Sequence, residues 1–234
     1  MEGNGAMLVA SERWEATYPG AFVASLAMSP VTNPESSVQL DVLKEALEAH
    51  LRSIFALLNR SQLRSHPLIQ PYTAYYKRYD KTYHVQHQLE SVIFKGRPIS
   101  RVAALIQAMF MAELKNMLLT AGHDLQAVRG ELDLDVASGT ETYVTLSGQR
   151  QTLKPNDMFI HDEEGILSSV IYGPDYRSRI TSATTRVLFT VYAPVGLGEE
   201  RVRGHLGDLI GYVLAVSPGA HVEDMQVVNA GSAP

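Results

Sequence analysis

Two histidines at short spacing are the first residues of this chain whose types and positions could support chemistry. His84 and His87 are three residues apart, and Glu90 follows three residues later. On a helix this spacing places the side chains on one face, and imidazole and carboxylate are both zinc ligands. However, the sequence places no fourth ligand, and the chain contains no cysteine. We therefore predict surface histidines, no bound metal and no other cofactor.

Three other short motifs do not predict an active site. The acidic run at residues 161–165 ends in glycine and is typical of a solvated hairpin turn rather than of a cation site. Gly196-Leu197-Gly198 lacks the strand-to-helix setting and the further glycine of a dinucleotide-binding loop. Ser147-Gly148 lacks the flanking glycine of a nucleophile elbow.

Composition and charge exclude several classes of protein. The absence of cysteine excludes a disulfide scaffold, a thiolate zinc site and a cysteine nucleophile. No apolar run reaches the roughly 18 residues of a membrane span, and residues 1–10 lack the pattern of a signal peptide. We therefore expect a cytoplasmic protein without a membrane partner.

The formal net charge of −5 bears on nucleic-acid binding. Proteins that grip a nucleic-acid backbone usually present a clustered positive face, because phosphate contacts supply most of the non-specific affinity. The densest basic clusters here are Lys77-Arg78 with Lys81, and Arg177 with Arg179. Either could contact a phosphate, but a solvated surface is the favoured interpretation. We expect no DNA partner.

The first half of the chain is predicted to be mainly helical. A buried strand at residues 21–28 precedes an amphipathic helix that begins at Ser36 or Ser37 and runs to Leu58. Ser65 is the candidate N-cap of the next helix. That helix carries an aromatic stripe, interpreted as core or interface, with a base-stacking surface as the alternative: Tyr72, Tyr75, Tyr76 and Tyr79. A helix ended by Gly96 and a strongly apolar helix at residues 100–119 follow.

The second half is predicted to be mainly strands. Strand-like segments separated by turn residues occur at 132–136, 142–146, 158–161, 166–172 and 187–193. A helix at residues 199–216 precedes a tail whose last five or so residues we expect to be disordered. Helices first, strands later and a closing helix predict an α+β fold. We divide the chain into an N-terminal extension (1–17), a main domain (18–217) and a C-terminal tail (218–234).

An ordered set of motifs across residues 18–217 resembles the B3/4 domain. This domain is the editing module of the bacterial phenylalanyl-tRNA synthetase β subunit and also occurs as free-standing proteins. The motifs are His66-Pro67-Leu68, Tyr75-Tyr76-Lys77-Arg78-Tyr79, Lys95-Gly96, His123-Asp124-Leu125, Lys154-Pro155, His161 to Leu167, and Ile180-Thr181 to Phe189. The resemblance implies a three-layer fold with packed helices and a β-sandwich of unusual topology.

The resemblance also implies a cleft, which in the synthetase hydrolyses tyrosine wrongly esterified to the phenylalanine tRNA. Here His123 would orient water or act as a general base, beside Asp124. Phe110, Arg179 and the strand end Ile171-Tyr172-Gly173 would surround the same cleft. In the alternative, His123 caps backbone at a helix-to-strand turn and does no chemistry.

This chain departs from the family pattern at several polar positions. The Asn, Asp and Asn of the family's central helix align with Ala103, Gln107 and Phe110, and a family acid aligns with Arg179. An arginine there would suit a carboxylate or phosphate rather than an ammonium group.

These substitutions leave three functions open. The first is a hydrolase acting on misacylated tRNA or a related aminoacyl ester, with the tRNA acceptor end as partner. The second is a non-catalytic module that binds a small amino-acid-like or aromatic ligand. The third is a repurposed enzyme of small-molecule metabolism on the same fold. The oligomeric state stays open.

Overall fold

Helices and strands combine in the α+β fold that the sequence predicts. The computed structural model describes residues 7–231. The helices are α1 (Glu12–Thr17), α2 (Val38–Ile54), α3 (Arg60–Arg64), α4 (Gln70–Lys77), α5 (His84–Lys95), α6 (Ala104–Asn116) and α7 (Glu199–Val216). The strands are β1 (Leu8–Ala10), β2 (Phe22–Ser29), β3 (Leu119–Asp124), β4 (Leu132–Val136), β5 (Thr142–Val144), β6 (Arg150–Thr152), β7 (Met158–Asp162), β8 (Gly165–Ser169), β9 (Gly173–Pro174), β10 (Val187–Ala193) and β11 (His221–Asn229).

The strands form two sheets and a small hairpin. One sheet has the order β11-β2-β10-β3, the other has the order β1-β4-β7-β8-β9, and β5 pairs with β6. All pairs are antiparallel except β1 with β4. Because neighbours in the sheets are mostly distant along the chain, the topology depends on long-range pairing rather than on simple hairpins.

The sheet that contains β3 forms the middle of three layers. On one face, the Tyr192 hydroxyl lies 2.7 Å from Ser168 Oγ in the other sheet. On the opposite face, the Thr120 hydroxyl lies 2.8 Å from His205 Nε2 on α7. Side chains alternate between faces along a strand, so one face packs on the second sheet and the other on helices. This arrangement is the β-sandwich with packed helices that the family resemblance implies.

Helix α6 is shorter than the sequence predicts, and the His-Asp motif is not a turn. The helix begins at Ala104 and ends where Met117 takes a left-handed conformation, with φ of 58°. The remaining apolar residues of the run enter β3, which contains His123 and Asp124. Apart from Lys115 and Asn116, the residues on both sides of the boundary are apolar, and an apolar segment is compatible with both a buried helix and a buried strand.

The prediction of Ser65 as a helix N-cap was wrong. Ser65 ends the short helix α3, and α4 begins five residues later at Gln70. The tyrosine stripe of α4 packs in the core, with Tyr72, Tyr75 and Tyr76 buried. Each of these buried hydroxyls is hydrogen-bonded, for example Tyr76 to the carbonyl of Val170 at 2.8 Å. The stripe therefore does not form an exposed base-stacking surface.

Segments near both ends of the chain pair with the sheets. Strand β1 lies parallel to β4, and α1 buries Trp14. Strand β11 pairs along the length of β2. The three-part division at residues 17 and 217 stays a prediction, but strands from both end segments complete the two sheets.

The predicted disorder of the last five residues was wrong for the two that the structure describes. The backbone N–H of Ala230 bonds to the carbonyl of Ala21, and the carbonyl of Gly231 accepts from Gly20. Residues 232–234 lie outside the described residues. Residues 1–6, which form part of the N-terminal segment without a signal-peptide pattern, also lie outside them. Between residues 7 and 231, no helix has both the length and the hydropathy needed to cross a bilayer.

Candidate functional site

A cleft of about 300 Å³ lies beside the free edge of β3. Helix α6 forms one wall, and the segment from Ser169 to Pro174 forms another. Ile106, Met109, Phe110 and Glu113 of α6 face this space because positions three and four apart share one helix face. The walls are mostly apolar, so a polar group in the cleft would fix the orientation of a bound ligand.

Glu113 is the acidic residue of this cleft. Its side chain is almost fully buried, with the residue 1% exposed. Oε1 accepts a hydrogen bond from the backbone N–H of Thr120 at 2.9 Å. Burial raises the pKa of the Glu113 carboxyl to about 8, and the bond from Thr120 offsets only part of this effect. Burial therefore favours a neutral Glu113 carboxyl near pH 7, while a cationic ligand would favour its ionised form.

Sequence reasoning missed Glu113, although the sequence contains a signal for it. Glu113 is the single acidic residue within residues 102–118, the most apolar stretch of the chain. A lone carboxylate in a helix that is covered on several sides must be paired or neutral, and such positions often serve a function. Its spacing of three residues from Phe110 places both side chains on the cleft face.

His123 belongs to β3, the strand beside the cleft, but its side chain does not line the cleft. Its side chain is fully buried, and Nδ1 lies 2.7 Å from Ser178 Oγ. The Ser178 hydroxyl in turn donates to Asp175. Burial lowers the pKa of His123 to about 3, so the imidazole is neutral across the physiological range. This position favours the alternative in which His123 does no chemistry, and its direct contact with a ligand stays a prediction.

Three of the other predicted site residues line the cleft: Phe110, Tyr172 and Gly173. The remaining three point elsewhere. Gln107 donates to Asp41 at 3.3 Å, and Asp124 caps the short 3-10 helix Leu125–Ala127 by accepting from the N–H of Gln126. Arg179 stacks on the ring of Tyr176, with its guanidinium carbon 3.8 Å from the ring centroid.

One rim of the cleft carries basic and titratable groups. Lys81 Nζ lies 4.8 Å from the centroid of the Tyr172 ring, and Lys77 and Arg78 are exposed nearby in sequence. His84 lines the cleft and packs edge-on against Tyr83. Desolvation of the ring and, to a lesser extent, the neighbouring His87 lower the pKa of His84. His84 is itself exposed, so its imidazole is accessible both to solvent and to the cleft.

The predicted absence of a metal is not tested by this structure. Glu90 is turned toward Arg64, whose Nε lies 3.0 Å from its carboxylate, and toward Gln86. In the part of the chain that the structure describes, no three His, Cys, Asp or Glu residues are grouped so as to hold a metal ion.

Comparison with known proteins defines the class of this protein. The model of the B3/4 domain matches residues 72–197, more than half of the chain. The chain therefore belongs to the B3/4 domain family, and it is related in sequence to phenylalanyl-tRNA synthetase β subunits.

The relatives are much longer proteins. The chain is 27% identical over 81 residues to the phenylalanine–tRNA ligase β subunit of Mycoplasma pneumoniae, covering 35% of this chain and 10% of that protein. It is 40% identical over 68 residues to the β subunit of Tropheryma whipplei, covering 28% of this chain and 7% of that protein. The chain thus spans a tenth or less of these relatives.

A solved structure also resembles this chain. It is an N-terminal fragment of the phenylalanyl-tRNA synthetase β subunit from Pyrococcus horikoshii, with a TM-score of 0.47 and 12% sequence identity. The match covers 97% of this chain and 51% of the fragment.

Proposed function

We propose that the cleft binds the aminoacyl group of an aminoacyl-tRNA, or of a related aminoacyl ester, and that the protein hydrolyses the ester. The observation that carries this proposal is the buried carboxyl of Glu113, the one acidic residue of a mostly apolar cleft. An apolar cleft suits an amino-acid side chain, and a single carboxyl suits the α-ammonium group. The membership of the B3/4 family supplies the ester as the substrate class.

In this proposal, Glu113 would take the place of the family acid that is replaced by Arg179 in this chain. An unpaired ammonium group in an apolar cleft costs several kcal/mol, and Arg179 at the aligned position supplies no carboxylate and stacks on Tyr176 outside the cleft. The ammonium of the ligand would draw the pKa of Glu113 down and form a charge-assisted hydrogen bond with the ionised carboxylate. The proton released from Glu113 leaves to solvent when the ligand binds.

Hydrolysis requires an oriented water and few protein groups. The water oxygen bonds to the ester carbonyl carbon while a base accepts its proton, and the ribose oxygen takes a proton back from that base as its bond to the carbon breaks. His84 is the candidate base because its exposed imidazole lines the cleft, while His123 is buried away from it. The neighbouring ribose hydroxyl of an RNA end can assist in orienting this water.

An exposed lysine beside the cleft, with two further exposed basic residues nearby in sequence, supports an RNA end as part of the substrate. Lys77, Arg78 and Lys81 lie at the end of α4 and just beyond it. Lys81 contacts the ring of Tyr172, which lines the cleft. Phosphates of preceding nucleotides in the RNA would meet these charges without requiring a positive net charge on the whole protein.

The direct test is a deacylation screen with a panel of misacylated tRNAs. We expect Glu113→Gln to lower kcat/KM at least about tenfold, because a charged hydrogen-bond partner is removed. His84→Ala should lower kcat more than it raises KM. The matched control is Glu45→Gln, which changes an exposed carboxylate on α2. Absence of hydrolysis with every misacylated tRNA would contradict the proposal.

A non-catalytic binding module is the second candidate. The burial of His123 away from the cleft favours it, since the histidine of the family motif then supplies no base. In that case a non-hydrolysable aminoacyl-adenosine analogue would bind wild-type protein, Glu113→Gln would weaken its binding, and no ester would be hydrolysed.

A further inference from the structure

A second cavity lies on the other side of Phe110. This groove has a volume of about 280 Å³ and runs between α5 and the segment that joins α5 to α6. Phe110 lines both the groove and the cleft, so a single aromatic ring forms part of each wall. The two cavities are therefore neighbours.

The groove and the cleft have opposite chemical character. The polar residues that line the groove are His87, Gln88, Ser91, Arg97 and Ser100, and its lining contains no carboxylate. The cleft contains the Glu113 carboxyl and no arginine or lysine. In a protein with a net charge of −5, a cavity lined by a guanidinium and free of acidic residues is suited to an anion.

The donors of the groove are not used within the protein. Across residues 7–231, the side chains of Arg97, Ser91 and Ser100 form no hydrogen bond with another side chain or with the backbone, and Arg97 forms no salt bridge. By contrast, the nearby Arg101 lies 3.9 Å from the Asp41 carboxylate. One guanidinium and two hydroxyls that line the same groove, with Arg97 and Ser100 exposed to solvent, can donate hydrogen bonds to the oxygens of a phosphate group. Glu90, the acidic residue of α5, is turned away toward Arg64.

We propose that this groove binds the phosphate of the nucleotide whose aminoacyl ester occupies the cleft. This inference rests on the proposed function. An aminoacylated nucleotide carries an ammonium group at one end and a phosphate at the other, with the ribose between them. Glu113 and Arg97 supply the opposite charges on the two sides of Phe110. The ring of Phe110 then packs against the sugar or base that spans the two cavities.

The test measures phosphate recognition separately from ester hydrolysis. Adenosine 5′-monophosphate and adenosine are titrated by calorimetry at low salt into wild type, Arg97→Ala and the matched control Arg101→Ala. We expect the monophosphate to bind at least about tenfold more tightly than adenosine. Arg97→Ala should abolish that difference, whereas Arg101→Ala should retain it. Equal binding of the monophosphate by wild type and Arg97→Ala would overturn the inference.

A short single-stranded RNA ending in adenosine identifies the source of the phosphate. If the groove binds an RNA end, Arg97→Ala should weaken binding of this RNA. The slope of log affinity against log salt concentration should then decrease by the amount expected for about one phosphate contact. If the RNA binds identically to both proteins while the monophosphate does not, the site recognises free nucleotides and the RNA assignment is overturned.

The two proposals fail in different ways. Hydrolysis of aminoacyl-tRNA with unchanged KM and kcat in Arg97→Ala would overturn the phosphate site and leave the proposed function standing. Binding of the monophosphate through Arg97 without hydrolysis of any ester would overturn the proposed function and leave the phosphate site standing.

Discussion

Glu113 and Thr120 are joined by a hydrogen bond of 2.9 Å between the carboxylate oxygen Oε1 and the backbone N–H. This bond links helix α6 to the edge strand β3. The Thr120 hydroxyl continues the contact to His205 on α7 at 2.8 Å. Because Glu113 also lines the cleft, the group proposed to meet the ligand is held by the same interactions that hold the helical layer to the sheet.

The first prediction concerns the pH dependence of stability. Burial raises the pKa of Glu113 from 4.5 to about 8, so the folded state holds a proton that the unfolded state releases between these pH values. The contribution of Glu113 to the free energy of unfolding therefore falls as pH rises from about 4.5 to 8. Glu113→Gln should be more stable than wild type at pH 8.5 by about 1–3 kcal/mol and similar at pH 4.5.

Urea unfolding of both proteins at these two pH values measures this difference. Glu45→Gln serves as the control because its carboxylate is exposed, and its stability should follow that of wild type. A constant difference between wild type and Glu113→Gln at both pH values would show that Glu113 does not titrate with a raised pKa.

The second prediction concerns Phe110, which aligns with a family asparagine. Phe110→Asn should enlarge and polarise the cleft, and the expected gain is deacylation of tyrosyl-tRNA. An amide in place of a large ring should lower the free energy of unfolding by about 1–3 kcal/mol. Deacylation assays and urea unfolding measure the two effects. If only stability changes, Phe110 is ordinary core; efficient tyrosyl-ester hydrolysis by wild type would refute the argument from lost polarity.

The third prediction concerns the tyrosine contacts that support the cleft from α4. The Tyr75 hydroxyl donates to Asp157 Oδ1 at 2.7 Å and accepts from the N–H of Met158 at 2.6 Å. Tyr75→Phe would leave two buried polar groups without this partner, so we expect a loss of about 1–3 kcal/mol in the free energy of unfolding. Tyr79→Phe is the control, because its hydroxyl is more exposed and makes one long bond of 3.4 Å. Similar losses in both variants would contradict this account.

The fourth prediction concerns metal content. Glu90 is engaged by Arg64 and Gln86, which leaves His84 and His87 without a convincing third ligand. Elemental analysis of protein purified without a histidine tag should find less than about 0.2 equivalents of zinc, well below the occupancy of a structural site. Full occupancy that disappears in a His84→Ala, His87→Ala double variant would refute it.

Elements with a clear period and clear boundaries were predictable from the sequence. The closing helix Glu199–Val216 and the strand Val187–Ala193 have the predicted bounds. The helix is amphipathic with a glycine before it, and the strand is a short apolar run between turn residues. The boundary between α6 and β3 was harder to predict, because only Lys115 and Asn116 interrupt the apolar residues there and no glycine or proline ends the helix.

The candidate site was only partly predictable because its geometry depends on distant contacts. The family alignment indicated Phe110, Tyr172 and Gly173, which line the cleft. The burial of His123 depends on Ser178, which lies 55 residues away in sequence, and no local pattern encodes that contact. Glu113 was recognisable from the sequence, because an acidic side chain in the most apolar helix must be either paired or neutral.

Phe110 divides two cavities of opposite charge preference, and this division bears on how products would leave. An intact ligand would be bound at both its ammonium end and its phosphate end. Binding of either end would raise the effective concentration of the other end at the site that binds it. Cleavage of the ester between the anchors removes this mutual benefit. The amino acid would then depend on Glu113 alone and the nucleotide on Arg97 alone, so each product would dissociate faster than the substrate without any movement of the protein.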